Sequence, residues 1–517
     1  MSTLERHLRR VEAVQAQRWS EQLHNQLGYA IYPTSFFVAD QVTAFLSRDK
    51  TKRVFGLIWS DKADLVVNAF EGEIRPINLD GHALKLKLCP THAANSVKLR
   101  EFFPFTRPSL VGLTKSFGCG DRLGTGTPGH LLAGENHPQM RLILAQQSIR
   151  EMTRTERSAQ QVMDDACWGV FQSGYEKSFG ADADHLKTLK DIDVCVAAGF
   201  LMFTVDPGDH VDDRADNDDP ETLKHKFTHL PWAELESSPD KTLAKFVGDV
   251  TLPSETLSFT PEQVMRAAVK YGRAVAHTRS MYRHLVELKG KDGFELEVSV
   301  DETATPTHPQ EHFYVAGELK RLGVKWLSLA PRFIGEFEKG VDYVGDLKAF
   351  RQAFARHVDI INVLGPYKIS IHSGSDKFSI YPIIAELAGE LIHVKTAGTS
   401  YLEALRVLAQ LEPELFRRIL DFARERYETD RASYHVSAKL EKVPPAAKLS
   451  DHELPRLLNE FDAREVLHVT FGSVMTTKNP DGSTKFRDEF LARLCDHEEA
   501  YAHCLEQHIG KHMELLS

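Results

Sequence analysis

Between about Ser109 and Lys395 the chain alternates short β-branched or apolar runs with longer amphipathic stretches, and this alternation restricts the possible folds most. The runs are Leu110–Ser116, Arg141–Ala145, Phe179–His185, Phe200–Val205, Phe294–Val300, Trp326–Ala330, Tyr367–Ile371 and Leu391–Lys395. Eight such units predict an α/β fold of the (β/α)8, TIM-like barrel type rather than an open doubly wound sheet. On that reading residues 109–399 form the barrel and residues 1–108 an N-terminal α/β cap. The cap opens on an amphipathic helix over Met1–Gln22 and holds Tyr29–Val38 and Arg53–Val67 as strands. Residues 400–517 read as a C-terminal, mostly helical and peripheral region. There Leu405, Leu408, Leu411, Leu415, Ile419 and Phe422 recur at spacings of three and four, and Pro413 divides the stretch in two. Lys442–Pro455 reads as a loop. No internal repeat or low-complexity segment is present, which excludes solenoids and propellers.

Charge narrows the partners. Lys and Arg total 63 against 73 Asp and Glu, a net charge of −10 that repels phosphate backbones and anionic lipid. Neither nucleic acid nor membrane is expected as a partner; a homo-oligomer is left open. The longest apolar run, Val194–Val205, has 12 residues and is too short to span a bilayer. The N-terminal stretch lacks the apolar core of a signal peptide, so a cytoplasmic location is expected. Six scattered cysteines without paired spacing read as reduced thiols, and Cys119 and Cys167 as buried apolar residues rather than nucleophiles. Asp206–Glu221 holds seven Asp residues but lacks the order of a calcium loop, and reads as a solvated surface turn.

In a barrel, side chains at the C-terminal ends of the strands share one mouth, so chemistry should follow the apolar runs. The first run leads into Gly118-Cys119-Gly120-Asp121-Arg122, the second into Gln146, and the third reaches Asp184 and His185. The fifth carries Glu297 and Asp301, the sixth is followed by Arg332 and Glu336, the seventh by His372 and Lys377, and the eighth by Lys395. Two imidazoles with carboxylates (His185, His372, Asp184, Glu297, Glu336) suit a catalytic divalent cation such as Zn, Mn, Co or Ni. The spacing is long-range, so no local motif ties these ligands together; for any one of them alone a hydrogen-bonded strand-end residue is the plainer reading. Arg122, Arg332, Lys377 and Lys395, if convergent, form an anion clamp, each competing with a structural salt bridge. Asp121 and Gln146 join them as candidate substrate-binding residues. The glycines from Gly118 to Gly124 have the wrong spacing for a dinucleotide fingerprint.

Six segments in order carry a likeness: Gly118–His130, Gly180–Lys187, Glu297–Glu302, Ser328–Glu336, Ser370–Ser379 and His393–Gly398. Together they resemble the tagaturonate/fructuronate epimerase family from about Tyr32 through the C-terminal helices. Cys119 and the Thr125-Gly126 pair depart from the family pattern, which has Leu or Gly and Leu-Ala there. The resemblance implies a metal-dependent isomerase of hexuronate catabolism acting on a small keto-uronate or keto-sugar. It implies Asp184 as proton acceptor, Glu297 as proton donor, and His185, Glu336 and His372 as metal ligands, with Glu338 as the competitor of Glu336. Some members of the family act on neutral ketohexoses such as fructose and tagatose.

Tagaturonate and fructuronate differ at a carbon β to the ketone, whose C–H the carbonyl does not acidify. Simple enolisation cannot invert it, whereas retro-aldol cleavage and recombination can. The alternatives are a 4-epimerase of neutral ketohexoses, a metal-dependent aldolase that releases the fragments, a ketose isomerase, and a non-enzymatic sugar-binding protein.

Overall fold

The computed structural model describes residues 8–60 and 65–517. At its centre eight parallel strands close into a barrel: β1 (Ser116–Cys119), β2 (Arg141–Ser148), β3 (Gly180–Leu186), β4 (Met202–Val205), β5 (Glu295–Val300), β6 (Ser328–Pro331), β7 (Lys368–Ile371) and β8 (Ile392–Thr396). Each strand pairs with its sequence neighbours, and β8 closes on β1 through His393 opposite Ser116 and Thr396 opposite Cys119. The last seven strands overlap the expected runs. The first starts later than Leu110–Ser116 predicts. Gly112 turns the chain with φ 61, and the amides of Val111 and Gly112 donate to the carboxylate of Glu295 at the base of β5. Leu110 and Leu113, apolar in the sequence pattern, are exposed at this barrel floor.

Ahead of the barrel lies a seven-stranded antiparallel sheet with the helix Ala13–Leu27 packed on it. Leu8–Arg10 is a strand of that sheet, so the helix begins later than the Met1–Gln22 expectation, whose first seven residues lie outside the described ones. The expected Arg53–Val67 strand ends at Trp59, and Leu65–Ala69 is helical; residues 61–64 are likewise outside the described set. An aromatic cluster joins sheet to barrel: Phe55 stands 5.4 Å from both Trp168 and Phe171 of the helix Ala159–Ser173, and 5.9 Å from Phe103. Each such fully buried ring contributes about 1.5–3 kcal/mol.

The expected division at Pro413 appears as two helices, Thr399–Leu411 and Pro413–Asp430. The C-terminal helix Glu498–Leu515 lies so close to Thr127–Glu135 that a Cβ on Gly129 would stand 2.7 Å from that of Leu505. Only glycine fits there. Lys442–Pro455 is irregular chain with short 3-10 turns, consistent with a loop. The acidic segment is less solvated than expected: Asp206 is buried, and Asp216 pairs at 2.9 Å with the buried ammonium of Lys270. Among the described residues no helix is long and apolar enough to cross a membrane.

Candidate active site

Along β5 the inward alternation runs Glu295, Glu297, Ser299 and then, just past the strand, Asp301. The first caps the barrel floor, the second lies at mid-height, and the last reaches the mouth. On β3 the same alternation sends Asp182 and Asp184 inward and would send His185 out. His185 instead takes φ 53, and the β3–β4 register shifts between Ala183 and Leu186. That left-handed residue costs about 1–2 kcal/mol and turns two successive polar side chains into one mouth. At the end of β7, His372 is followed by Ser373 at φ 51.

The result is a cavity of about 330 Å³ whose wall includes Gln146, Arg150, Asp184, His185, Asp301, Arg332, Glu336, Lys339, His372, Ser373, Lys395, Tyr434 and His435. Its size suits a six-carbon sugar acid. The His185 and His372 rings stand 4.9 Å apart between centroids, and one ligand atom from each of His185, Asp301 and His372 lies within 4.8 Å of the other two. His185 Nδ1 is 2.8 Å from Asp184 Oδ1, which leaves its other nitrogen free of that contact. His372 Nε2 is 2.7 Å from Glu297 Oε1, while its Nδ1 is buried, makes no hydrogen bond and lies 3.1 Å from Asp301. Two imidazoles each backed by a carboxylate, one with a buried nitrogen that makes no hydrogen bond, plus the Asp301 carboxylate beside that nitrogen, are a donor set that fits a divalent cation.

Beneath this set lies a dense charge cluster. The Lys395 ammonium stands 2.6 Å from Asp182, 2.7 Å from Asp184 and 2.7 Å from Glu297. Burial disfavours this ammonium, but the three carboxylates outweigh burial and hold its pKa well above the ordinary lysine value. Burial likewise opposes the charged form of Asp184, and His185 with Lys395 reverses the effect, holding Asp184 well below the usual carboxylate range. Glu297 follows the same pattern, with Lys395 and His372 as its cations. His372 is pulled down by burial but lifted further by Asp301 and Glu297, to about 10. Asp182, buried beside two other acids, rises to about 6. Burial, with the Arg150 guanidinium, lowers Lys339.

The expected residues divide into three groups. Asp184, His185, His372, Gln146, Arg332 and Lys395 meet at the cavity. Glu297 is fully buried behind His372 and Lys395 rather than on the cavity wall, so it backs those two groups instead of facing a substrate. Glu336 lines the cavity but belongs to no ligand cluster among the described residues. Gly335, at φ 82, turns it toward the C-terminal segment, where it pairs with His435 at 2.9 Å, and Asp301 takes its place beside the two imidazoles. Glu338 is buried elsewhere, accepting from the backbone amide of Ser437.

The third group is structural. Asp121 caps a turn, accepting from the amides of Leu123, Gly124 and Gly126. Arg122 is buried in an ion pair with Glu151 at 2.7 Å and lies 3.6 Å over the Phe471 ring. Lys377 is fully buried and donates to the carbonyls of Glu338, Val341 and Ser375. Each was plausible as a strand-end polar residue, yet Asp121 turns back on its own loop, and Arg122 and Lys377 are taken up by partners on other segments. The residues that sequence reasoning passed over are Arg150, Lys339, Tyr434 and His435, while Asp301 stands there as a strand-end group and not as a ligand. The 295, 297, 299, 301 alternation carries Asp301 to the mouth. Tyr434 and His435 correct the peripheral reading of the C-terminal region, and no local signal marks them.

A second group of potential ligands, Asp376 with His508 and His512, is already satisfied. Asp376 pairs with Arg464 at 2.8 Å, and both nitrogens of His512 are hydrogen-bonded, to the Asp376 amide and the His508 carbonyl.

Comparison with known proteins gives one consistent picture. The family model described as tagaturonate epimerase matches residues 32–516. A tagaturonate/fructuronate epimerase of Thermotoga maritima is 40% identical over 493 residues, covering 95% of this chain and 98% of that protein. The native crystal structure of a fructuronate-tagaturonate epimerase from Cohnella laeviribosi aligns with a TM-score of 0.88 at 36% identity, over 96% of this chain and 99% of that one. A glycerol complex of the same enzyme aligns with a TM-score of 0.88 at 37% identity, over 97% and 99%.

Proposed function

The chain belongs to the tagaturonate epimerase family and is an epimerase, and on that premise we propose that it interconverts D-tagaturonate and D-fructuronate by retro-aldol cleavage and recombination, with a divalent cation. The observation that carries the reading is the meeting of His185, Asp301 and His372, far apart in sequence, directly beside Asp184 and Lys395. His185, Asp301 and the orphaned Nδ1 of His372 would hold the cation, which supplies Lewis acidity at a ketone oxygen when bound.

Asp184 is the base. Held ionised by His185 and Lys395 and facing the cavity, it accepts the proton of the hydroxyl on the carbon β to the ketone. The O–H electron pair becomes the carbonyl of an aldehyde, and the pair of the broken C–C bond passes into an enediolate. The aldehyde turns and presents its opposite face, the C–C bond re-forms, and an alkoxide of inverted configuration results. Lys395, which faces the cavity, protonates that alkoxide and recovers its proton from Asp184 across their 2.7 Å contact. The proton ledger closes with no net change. Glu297 acts at one remove, orienting His372 and balancing Lys395, so the donor role expected of it passes to the ammonium it supports. The same three carboxylates keep Lys395 protonated, which argues against its use as a Schiff-base nucleophile.

The test is product analysis by NMR in deuterated water, with the protein loaded with Mn, Co, Ni or Zn. Conversion of tagaturonate to fructuronate without deuterium at the inverted carbon supports the proposal. Deuterium there would mean C–H abstraction, and accumulation of free aldehyde would mean an aldolase.

A further inference from the structure

Every acid around the cavity mouth already has a partner. Glu302 pairs with Arg150 at 3.2 Å, Glu336 with His435, Glu151 with Arg122, and Asp301 sits against His372. Two cations on the cavity wall have no carboxylate within 4.0 Å among the described residues: Arg332, whose guanidinium donates to the carbonyl of Thr303, and Lys339, whose ammonium donates to the Ser373 hydroxyl at 2.6 Å. Both belong to the loop after β6. We propose that Lys339, with Arg332 of the same loop on the same cavity wall, is the carboxylate-recognising group of the cavity and selects a sugar acid over the corresponding neutral sugar.

The loop is built to hold that ammonium in place. The residues on either side of Lys339 are pinned: Lys377 donates to the carbonyl of Glu338 at 2.7 Å, and Arg464 donates to that of Gly340 at 2.6 Å. The Glu338 side chain is in turn held by the Ser437 amide at 2.8 Å. Lys377, one of the two lysines expected from sequence to bind substrate, thus helps present Lys339. Because Ser373 follows His372 directly and Lys339 lines the same cavity, a carboxylate on Lys339 and a ketone at the proposed cation site belong to one cavity, as a single sugar acid requires. A preorganised cation lacking a counter-ion gains more from an incoming anion than one that must first leave a salt bridge.

This assignment rests on the epimerase reading, and the experiment separates the two. The metal-loaded enzyme and its Lys339→Met and Lys339→Arg variants are assayed on tagaturonate and on tagatose. Lys339→Met is expected to lower the ratio of kcat/KM for tagaturonate to that for tagatose about 10- to 100-fold, chiefly through KM, with Lys339→Arg restoring most of it. A merely structural role would depress both substrates together and leave the ratio unmoved, and an unmoved ratio overturns the assignment. Should the unaltered protein fail to turn over tagaturonate, the epimerase reading falls, and calorimetric titration with galacturonate and galactose decides the clamp. A preference for the acid that Lys339→Met abolishes supports it; no preference, or one that the substitution leaves intact, overturns it.

Discussion

Glu297→Gln separates the role sequence suggests for this residue from the one its surroundings allow. Oε1 receives His372 Nε2 at 2.7 Å, Lys395 at 2.7 Å and Thr204 at 3.3 Å, while Oε2 receives Ser328 at 2.5 Å. A glutamine can keep its oxygen on the crowded side and turn its amide toward the Ser328 hydroxyl, which can accept as well as donate. Shape and hydrogen bonds survive; the charge is lost. Lys395 keeps Asp182 and Asp184, so the ammonium is not stranded. What changes is the basicity of His372, whose Nε2–H now meets a neutral acceptor. Loss of such a carboxylate behind a ligating histidine lowers metal affinity about 10- to 100-fold, or roughly 1.4–2.7 kcal/mol. Metal titration against a competing chelator, with metal content measured after dialysis, reads this directly, and excess cation should recover much of the turnover. Metal affinity equal to that of the unaltered protein together with abolished turnover would falsify the argument and return Glu297 to the substrate as a proton donor.

Further outcomes follow from the same geometry. His372→Ala should remove both bound metal and turnover; a metal-free His372→Ala protein of normal activity would dismiss the cation. Arg122→Met leaves Glu151 buried without its partner and should cost about 3–5 kcal/mol in chemical denaturation, with the KM of the folded fraction unchanged; a selective rise in KM would mean that Arg122 does touch substrate. Glu465 is pushed up to about 9 by burial and by Glu338, so folded chains keep it protonated where the unfolded chain ionises it, from about 4.5 upward. Its contribution to stability is complete below that lower value and is lost as pH rises toward 9. Glu465→Gln holds the neutral form, so its melting temperature relative to the unaltered protein should rise between pH 5.5 and pH 8.5, and parallel curves would refute the raised pKa of Glu465.

The barrel was legible because its signal is local and repeated. Each strand is a short apolar run, each crossover an amphipathic stretch, and neither period depends on what the element later touches. The strand-end rule also found Asp184, His185 and His372, since parallel strands in a closed barrel send their C-terminal residues to one rim. It failed where the chain does not simply continue the strand. Arg122, Asp121 and Lys377 satisfy the same rule, yet Arg122 is taken up in an ion pair with Glu151, Asp121 caps a turn and Lys377 holds carbonyls. Glu336 lies past Gly335, whose positive φ turns the loop so that Glu336 pairs with His435.

Sequence alone determined the number of strands, the side of the barrel on which chemistry gathers, and the residue types suited to a metal and an acid sugar. Tertiary structure alone decided that Asp301 stands with the two imidazoles, that Lys339 has no carboxylate within 4.0 Å among the described residues, and that Tyr434 and His435 from the C-terminal region complete the wall. The physical reason is that polar side chains are assigned by competition: a charge is available to a ligand only if no nearer partner has neutralised it. Those partners are set by closure of the barrel and docking of distant segments, not by neighbours in the chain.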